Sequence, residues 1–274
     1  MNFKRIKITS LFLGMCIACL LPFSAFASDY SAWQKFLGLY LKNGLVNYSA
    51  VQTDPALFNT IVFQLENVKE EEYARWSQDE KKAFWINAYN IEAVKLVVDH
   101  YPLKRSLGLQ AFRYPANSIQ QIPDVWNQEA LTIFPPKADQ PQAEGKKVSL
   151  NYIENEILRK EFQDPRIHFA IVCASLGCPV LRSEPYVFDR LDSQLNDAVA
   201  KFMQDPKKFN YGAYNNTFYF YLSPIFKWFK EDFEKAGGSI AFIKKYIPQN
   251  KSLPDSGKIQ WLEYDWSLNE QKLK

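Results

Sequence analysis

The residues able to do chemistry gather in one run, Asp-Pro-Arg-Ile-His-Phe-Ala-Ile-Val-Cys-Ala-Ser-Leu-Gly-Cys-Pro-Val-Leu at positions 164–181. It holds His168, Cys173 and Cys178. The chain has two histidines and four cysteines in all, and the remaining cysteines, Cys16 and Cys19, sit in an N-terminal leader discussed below. Thiol, imidazole or metal chemistry in a mature protein must therefore draw on this run. A cysteine attacks only as thiolate and needs a base or cation beside it. His168 is the candidate base, with Glu154 or Asn87 to orient it. That set, Cys173 or Cys178 with His168 and Glu154, is the equipment of a thiol-dependent hydrolase or acyl transferase. A regular strand would turn His168 and Cys173, five residues apart, to opposite faces. A bulge, or the turn at Gly177 folding Cys178 back, would have to bring them together. A second reading stands beside the first: in an oxidising compartment the two sulfurs form a disulfide. The protein is then a non-enzymatic envelope binding protein with a polar pocket. Structural zinc prefers four Cys or His ligands, and only Cys173, Cys178, His168 and His100 are on offer. No metal or cofactor is expected, and no phosphate-binding Gly-rich loop or serine nucleophile elbow appears.

Two helices and a strand must position these groups. Ser77-Gln78-Asp79-Glu80 is a capping box opening a helix to about Asp99, with Pro102 beyond it. Its residues are apolar nearly all round (Phe84, Trp85, Ile86, Ile91, Val94, Leu96), which marks a buried central helix. Asn87 and Asn90 are its polar exceptions, with Tyr89 between them. Buried amides must be hydrogen-bonded, so they either hold neighbouring loops or line a site. Asn87, Tyr89, Asn90 and Ser175, in the turn between the cysteines, are the candidate substrate-binding residues. His100, at the helix end, reads as structural. A helix from Ser149 to about Phe162 carries Glu154 along its apolar stripe with Leu150, Ile157 and Leu158, while Glu156 points away. A carboxylate so placed needs a partner. Arg166–Cys173, continuous in apolar character, reads as a central strand covered on both faces.

Elsewhere, Tyr30–Leu45 predicts an amphipathic helix stopped by Asn43-Gly44, and a second helix begins near Asp54-Pro55. Residues 101–147, punctuated by Pro102, Pro115, Pro123, Pro135, Pro136 and Pro141, are either a lid over a site or an ordered wrap. A helix over Asp189–Gln204 follows. Next come a hairpin about Asn215-Asn216, a helix from Ser223-Pro224 to Phe233, a short helix to Tyr246 and a closing strand over Ile259–Tyr264. The expected fold is α+β, one domain, with a central buried helix packed on a small mixed or antiparallel sheet and several peripheral helices.

The N-terminus reads as a signal peptide, residues 1–27. Lys4, Arg5 and Lys7 precede an apolar run, and Ala25-Phe26-Ala27 has the small-x-small cleavage pattern. The protein is expected to be secreted or periplasmic. Lys and Arg total 33 against 30 Asp and Glu; without the three leader cations the two balance. No basic run remains, which argues against a nucleic-acid partner, and no second long apolar segment predicts a membrane span. A small-molecule or peptide ligand is the remaining class of partner.

Several segments together resemble one family. They are Phe84-Trp85-Ile86-Asn87-Ala88-Tyr89-Asn90, Ser149-Leu150 with Ile153-Glu154 and Ile157-Leu158-Arg159, and Arg166-Ile167-His168-Phe169-Ala170 with Cys173 and Cys178-Pro179. Leu222-Ser223 with Ile225-Phe226-Lys227-Trp228, Asp232-Phe233, and Tyr264-Asp265-Trp266 with Leu268-Asn269 continue the series. In this order they resemble the DUF547 family over about residues 30 to 270, which implies a single domain over 28–274. The family's name records an unknown function, so the resemblance implies no activity. One departure is Glu144-Gly145-Lys146-Lys147, where the family has Gly-Gly.

Overall fold

A computed structural model describes residues 29–108, 110–135, 144–247 and 253–272. The leader, Pro136 and Pro141 lie outside them. The chain forms one α+β domain, rich in helix with small sheets. Among the described residues no helix is long and apolar enough to cross a membrane.

The central helix, Gln78–His100, begins at the expected capping box. The Glu80 amide donates to Ser77 Oγ at 3.2 Å and the Ser77 amide donates to Glu80 Oε2 at 2.7 Å. From Ala83 to Val98 nearly every side chain is buried. It packs against the helix Tyr152–Phe162 and the short helix Tyr48–Thr53. Burying each Leu, Ile or Phe here is worth about 1.5–3 kcal/mol, so this element anchors the larger of two apolar clusters.

Several expectations change. The first helix is Ser31–Tyr40, shorter than the predicted Tyr30–Leu45. Leu41–Lys42 and Leu45–Val46 instead pair antiparallel around Asn43 and Gly44, both at positive φ. Such a pair is hairpin chemistry as much as a helix stop. A Cβ on Gly44 would also collide with Val180 Cγ1.

The segment expected as a central strand, Arg166–Cys173, is no strand. Pro165–Phe169 is a tight 3-10 turn, started by Pro165 and by Asp164 Oδ1 accepting from the Arg166 amide at 3.1 Å. The residues after it run irregularly, their backbone held by a side chain described below. A short buried apolar run has the same composition in either form, and periodicity alone does not separate them.

The Glu154 helix exists, but Tyr152–Phe162 is wound with π geometry. Ile153, Ile157 and Leu158 are buried, Glu154 is mostly enclosed and Glu156 is exposed, as the stripe implied. π geometry is rare, and single π turns within helices are frequent at functional sites.

The second cluster holds the sheet. Phe209–Tyr214 and Thr217–Leu222 form the expected hairpin, with Asn215 and Asn216 at positive φ. Lys258–Trp261 adds a parallel third strand, shorter than predicted because Tyr264 leaves the sheet. Phe220, Leu222, Phe226, Phe233 and Phe242 pack there with Val199 and Phe202 of the helix Leu191–Gln204. The helix predicted to run unbroken to Phe233 divides into Ile225–Trp228 and Lys230–Lys235, interrupted at Phe229. The described part of the proline-rich stretch is an ordered wrap. Buried Gln121 accepts from the Ser106 amide at 2.8 Å and donates to the Tyr114 and Pro115 carbonyls.

Candidate functional site

The 3-10 turn presents His168, fully buried, to groups from three other elements. Its Nε2 lies 2.8 Å from Asp232 Oδ2. A carboxylate only accepts, so Nε2 carries the hydrogen. Asp232 comes from the helix Lys230–Lys235. It is also gripped by Arg159, whose Nε and Nη2 donate to its two oxygens at 2.6 and 3.1 Å. Burial works to raise the Asp232 pKa, but the His168 and Arg159 donors prevail and hold it well below the usual carboxylate range. Phe229, at the break between the two short helices, lies flat on the imidazole at 3.8 Å and 16°. The Arg159 guanidinium sits 5.2 Å from the centre of the same ring.

Glu154 approaches from the π-wound helix. Its Oε1 is 3.7 Å from His168 Nδ1, beyond hydrogen-bond length, and among the described residues His168 Nδ1 has no hydrogen-bond partner. Its Oε2 accepts from Tyr89 Oη at 3.4 Å. Burial, reinforced by the Glu154 charge, pushes the Tyr89 phenol up, so it stays neutral and donates.

Cys173 and Cys178 are joined by a disulfide. Cys178 Sγ lies 3.0 Å from the Cys173 amide nitrogen, 3.0 Å from Tyr264 Oη and 3.4 Å from Ser175 Oγ. The turn holding the bridge is strapped by residues near the C-terminus. The Leu176 and Gly177 amides donate to the Ser267 and Asp265 carbonyls, and the Asn269 amide donates to Ala174. Gly177 is required by close approach, since a Cβ there would meet the Tyr264 ring at 2.9 Å.

Glu154, His168, Tyr89 and both cysteines line one hollow of about 180 Å³. Its remaining walls are mainly aromatic: Trp126, Trp228, Phe229, Tyr264 and Trp266. A larger cleft, about 700 Å³, shares Cys178, Pro179, Tyr264 and Trp266 with the hollow.

The other candidate residues go elsewhere. Asn87 donates to the Tyr186 carbonyl at 2.8 Å and accepts from the Tyr186 amide at 3.0 Å. Asn90 does the same to Ala170 and Val172, at 3.0 and 2.8 Å. Both amides are spent on backbone; they hold loops and are absent from the hollow's lining. Nor does Asn87 orient the imidazole. Ser175 lines the larger cleft rather than the hollow. His100 Nδ1 lies 2.8 Å from the Leu96 carbonyl, a helix-end contact.

Sequence reasoning gave no role to Asp232, Phe229, Tyr264 or the three tryptophans. Asp232 lies 64 residues from His168, and no spacing links them. The one available signal was that Asp232-Phe233 and Tyr264-Asp265-Trp266 fall in segments shared with a family.

The family model described as "Protein of unknown function, DUF547" matches residues 73–203. Residues 73–203, a little under half of the chain, are a DUF547 region. The matched stretch is narrower than the residue 30 to 270 span of the resembling segments. It contains Tyr89, Glu154, His168 and both cysteines, and it ends before Phe229, Asp232, Tyr264 and Trp266. No curated protein and no solved structure matches the chain.

Proposed function

We propose that the protein is exported and binds a small ligand in the hollow, the Cys173–Cys178 bridge serving as part of its wall. One observation carries this reading. Glu154 and His168 converge on a small, mostly aromatic cavity, while both sulfurs that would do nucleophilic chemistry are bonded to each other. A few placed polar groups in an apolar hollow are the usual form of a small-molecule site. The leader pattern and the bridge both suit an oxidising compartment.

Two measurements test it. Thiol titration of the native protein without reductant should find no reactive cysteine, with the bridge confirmed by mass. A thermal-shift screen of fragment-sized compounds should give stabilising hits that Glu154→Gln loses. A free reactive thiol in the native protein would reverse the order of the readings.

The thiol-dependent enzyme keeps one specific support. A disulfide sulfur accepts hydrogen bonds weakly, yet an amide and two hydroxyls surround Cys178 Sγ. The same three groups would stabilise a Cys178 thiolate once the bridge is reduced. On that reading, ester hydrolysis appears only after reduction and disappears in Cys178→Ser.

A further inference from the structure

We propose that the ligand of the hollow is a small organic cation, an alkylammonium whose charge faces Glu154 and whose carbon surface lies against the aromatic walls. This rests on the binding reading above and names its ligand class.

The walls supply the first argument. Trp126, Trp228, Trp266, Tyr264, Tyr89 and Phe229 together make almost half of the lining. They are not isolated rings. Tyr264 and Trp266 centroids lie 4.6 Å apart, Trp228 and Tyr264 4.7 Å, and Trp126 and Trp266 6.1 Å. A cation is drawn to the negative face of an aromatic ring, most strongly to Trp, and cages of such rings are how proteins hold methylated ammonium groups.

Charge supplies the second. Among the lining residues Glu154 is the one acid. Its two oxygens are loosely engaged, one at 3.4 Å from Tyr89 Oη and the other 3.7 Å from His168 Nδ1. Arg159, the nearby cation, gives its hydrogen bonds to Asp232 and Asn155 and reaches Glu154 only through its charge. His168 faces Glu154 with a nitrogen that forms no hydrogen bond among the described residues and has its other nitrogen committed to Asp232. The carboxylate thus keeps capacity to accept.

The third argument decides against a sugar, the other ligand that stacks on tryptophan. A sugar carries a hydroxyl on nearly every carbon, and each buried one needs a partner. The hollow offers few: Glu154, His168 Nδ1 and two tyrosine hydroxyls already in contact with Glu154, Ser175 or sulfur. An alkylammonium needs one anion and apolar contact. A space of about 180 Å³ fits such a head group, and a longer tail would pass Cys178, which both share, into the larger cleft.

The test uses the full chain with its bridge intact and tryptophan fluorescence as the signal. Choline is titrated against its uncharged carbon isostere, 3,3-dimethylbutan-1-ol. Choline should give a saturable change and the alcohol should bind at least about tenfold more weakly. Glu154→Gln and Trp228→Leu should each weaken choline about tenfold or more. Trp228 is 47% exposed, so its replacement leaves the fold intact even if the buried Glu154 variant does not. Equal binding of the two probes, or tighter binding of neutral fragments, overturns the cation assignment and leaves the pocket reading standing. Failure of both probes and of every fragment in the screen removes both.

Discussion

Two carboxyl groups show how differently this interior treats the same residue class. Asp232 is held ionised by His168 and Arg159, with its pKa below the ordinary 3.8. A depressed acid stabilises the fold above its unfolded value and stops doing so as pH falls through the folded one. Asp232→Asn should therefore cost about 1–3 kcal/mol at neutral pH, with the gap to wild type closing in urea melts taken below about pH 4. A gap unchanged by acid would show that the ion pair is not its source. Glu92, on the central helix, is the opposite case. It is fully buried, and among the described residues neither oxygen makes a well-formed hydrogen bond. Burial pushes its pKa up to about 8, against the Ala130 amide and the Lys95 charge. A raised acid is tolerated below its unfolded pKa and becomes costly as pH rises through the folded one. Glu92→Gln should gain about 1–3 kcal/mol at pH 8 and little at pH 5. Equal effects at both would mean that the carboxyl is not neutral in the fold. Neither partner set was legible beforehand, because a carboxylate's fate depends on groups scores of residues away.

At the scale of elements, legibility followed the kind of signal. The capping box at Ser77, the all-round apolar helix and the Asn215-Asn216 hairpin are local instructions, and all three elements formed as expected. The Arg166–Cys173 strand failed because its backbone partners are not strands. Asn90 reaches across from the central helix and takes the Ala170 carbonyl and the Val172 amide itself. A helix side chain thus does the work of a sheet neighbour, which apolar periodicity does not reveal. Asn90→Ala removes both contacts and leaves buried backbone groups bare, a loss of about 2–4 kcal/mol. The same change should speed amide exchange at Val172 more than in the central helix itself. Exchange raised uniformly would mean that the bracket has no local role. The inward placement of Glu154 was read from its stripe despite the π winding, since the inward face of the helix was preserved.

Across the whole molecule, the site belongs to no single segment. The matched family stretch brings the acid, the imidazole, the sulfurs, Tyr89 and Trp126; later residues bring Asp232, the other aromatic walls and the strap. Asn269 shows how firmly that strap is fastened. Its backbone bonds to Val46 and Ala174, and its side chain accepts from Tyr48 Oη at 2.7 Å. Asn269→Ala should loosen the strap, costing about 1–3 kcal/mol. It should also let a small thiol reduce Cys173–Cys178 faster in the folded protein. An unchanged reduction rate would show that the strap does not shield the bridge.

Tyr264 follows Cys178 by 86 residues. A chain that enters an oxidising compartment N-terminus first presents the two sulfurs before the ring that will cover them. The covalent link can thus be set while the neighbourhood is still open, and the lagging end of the polypeptide then seals it in.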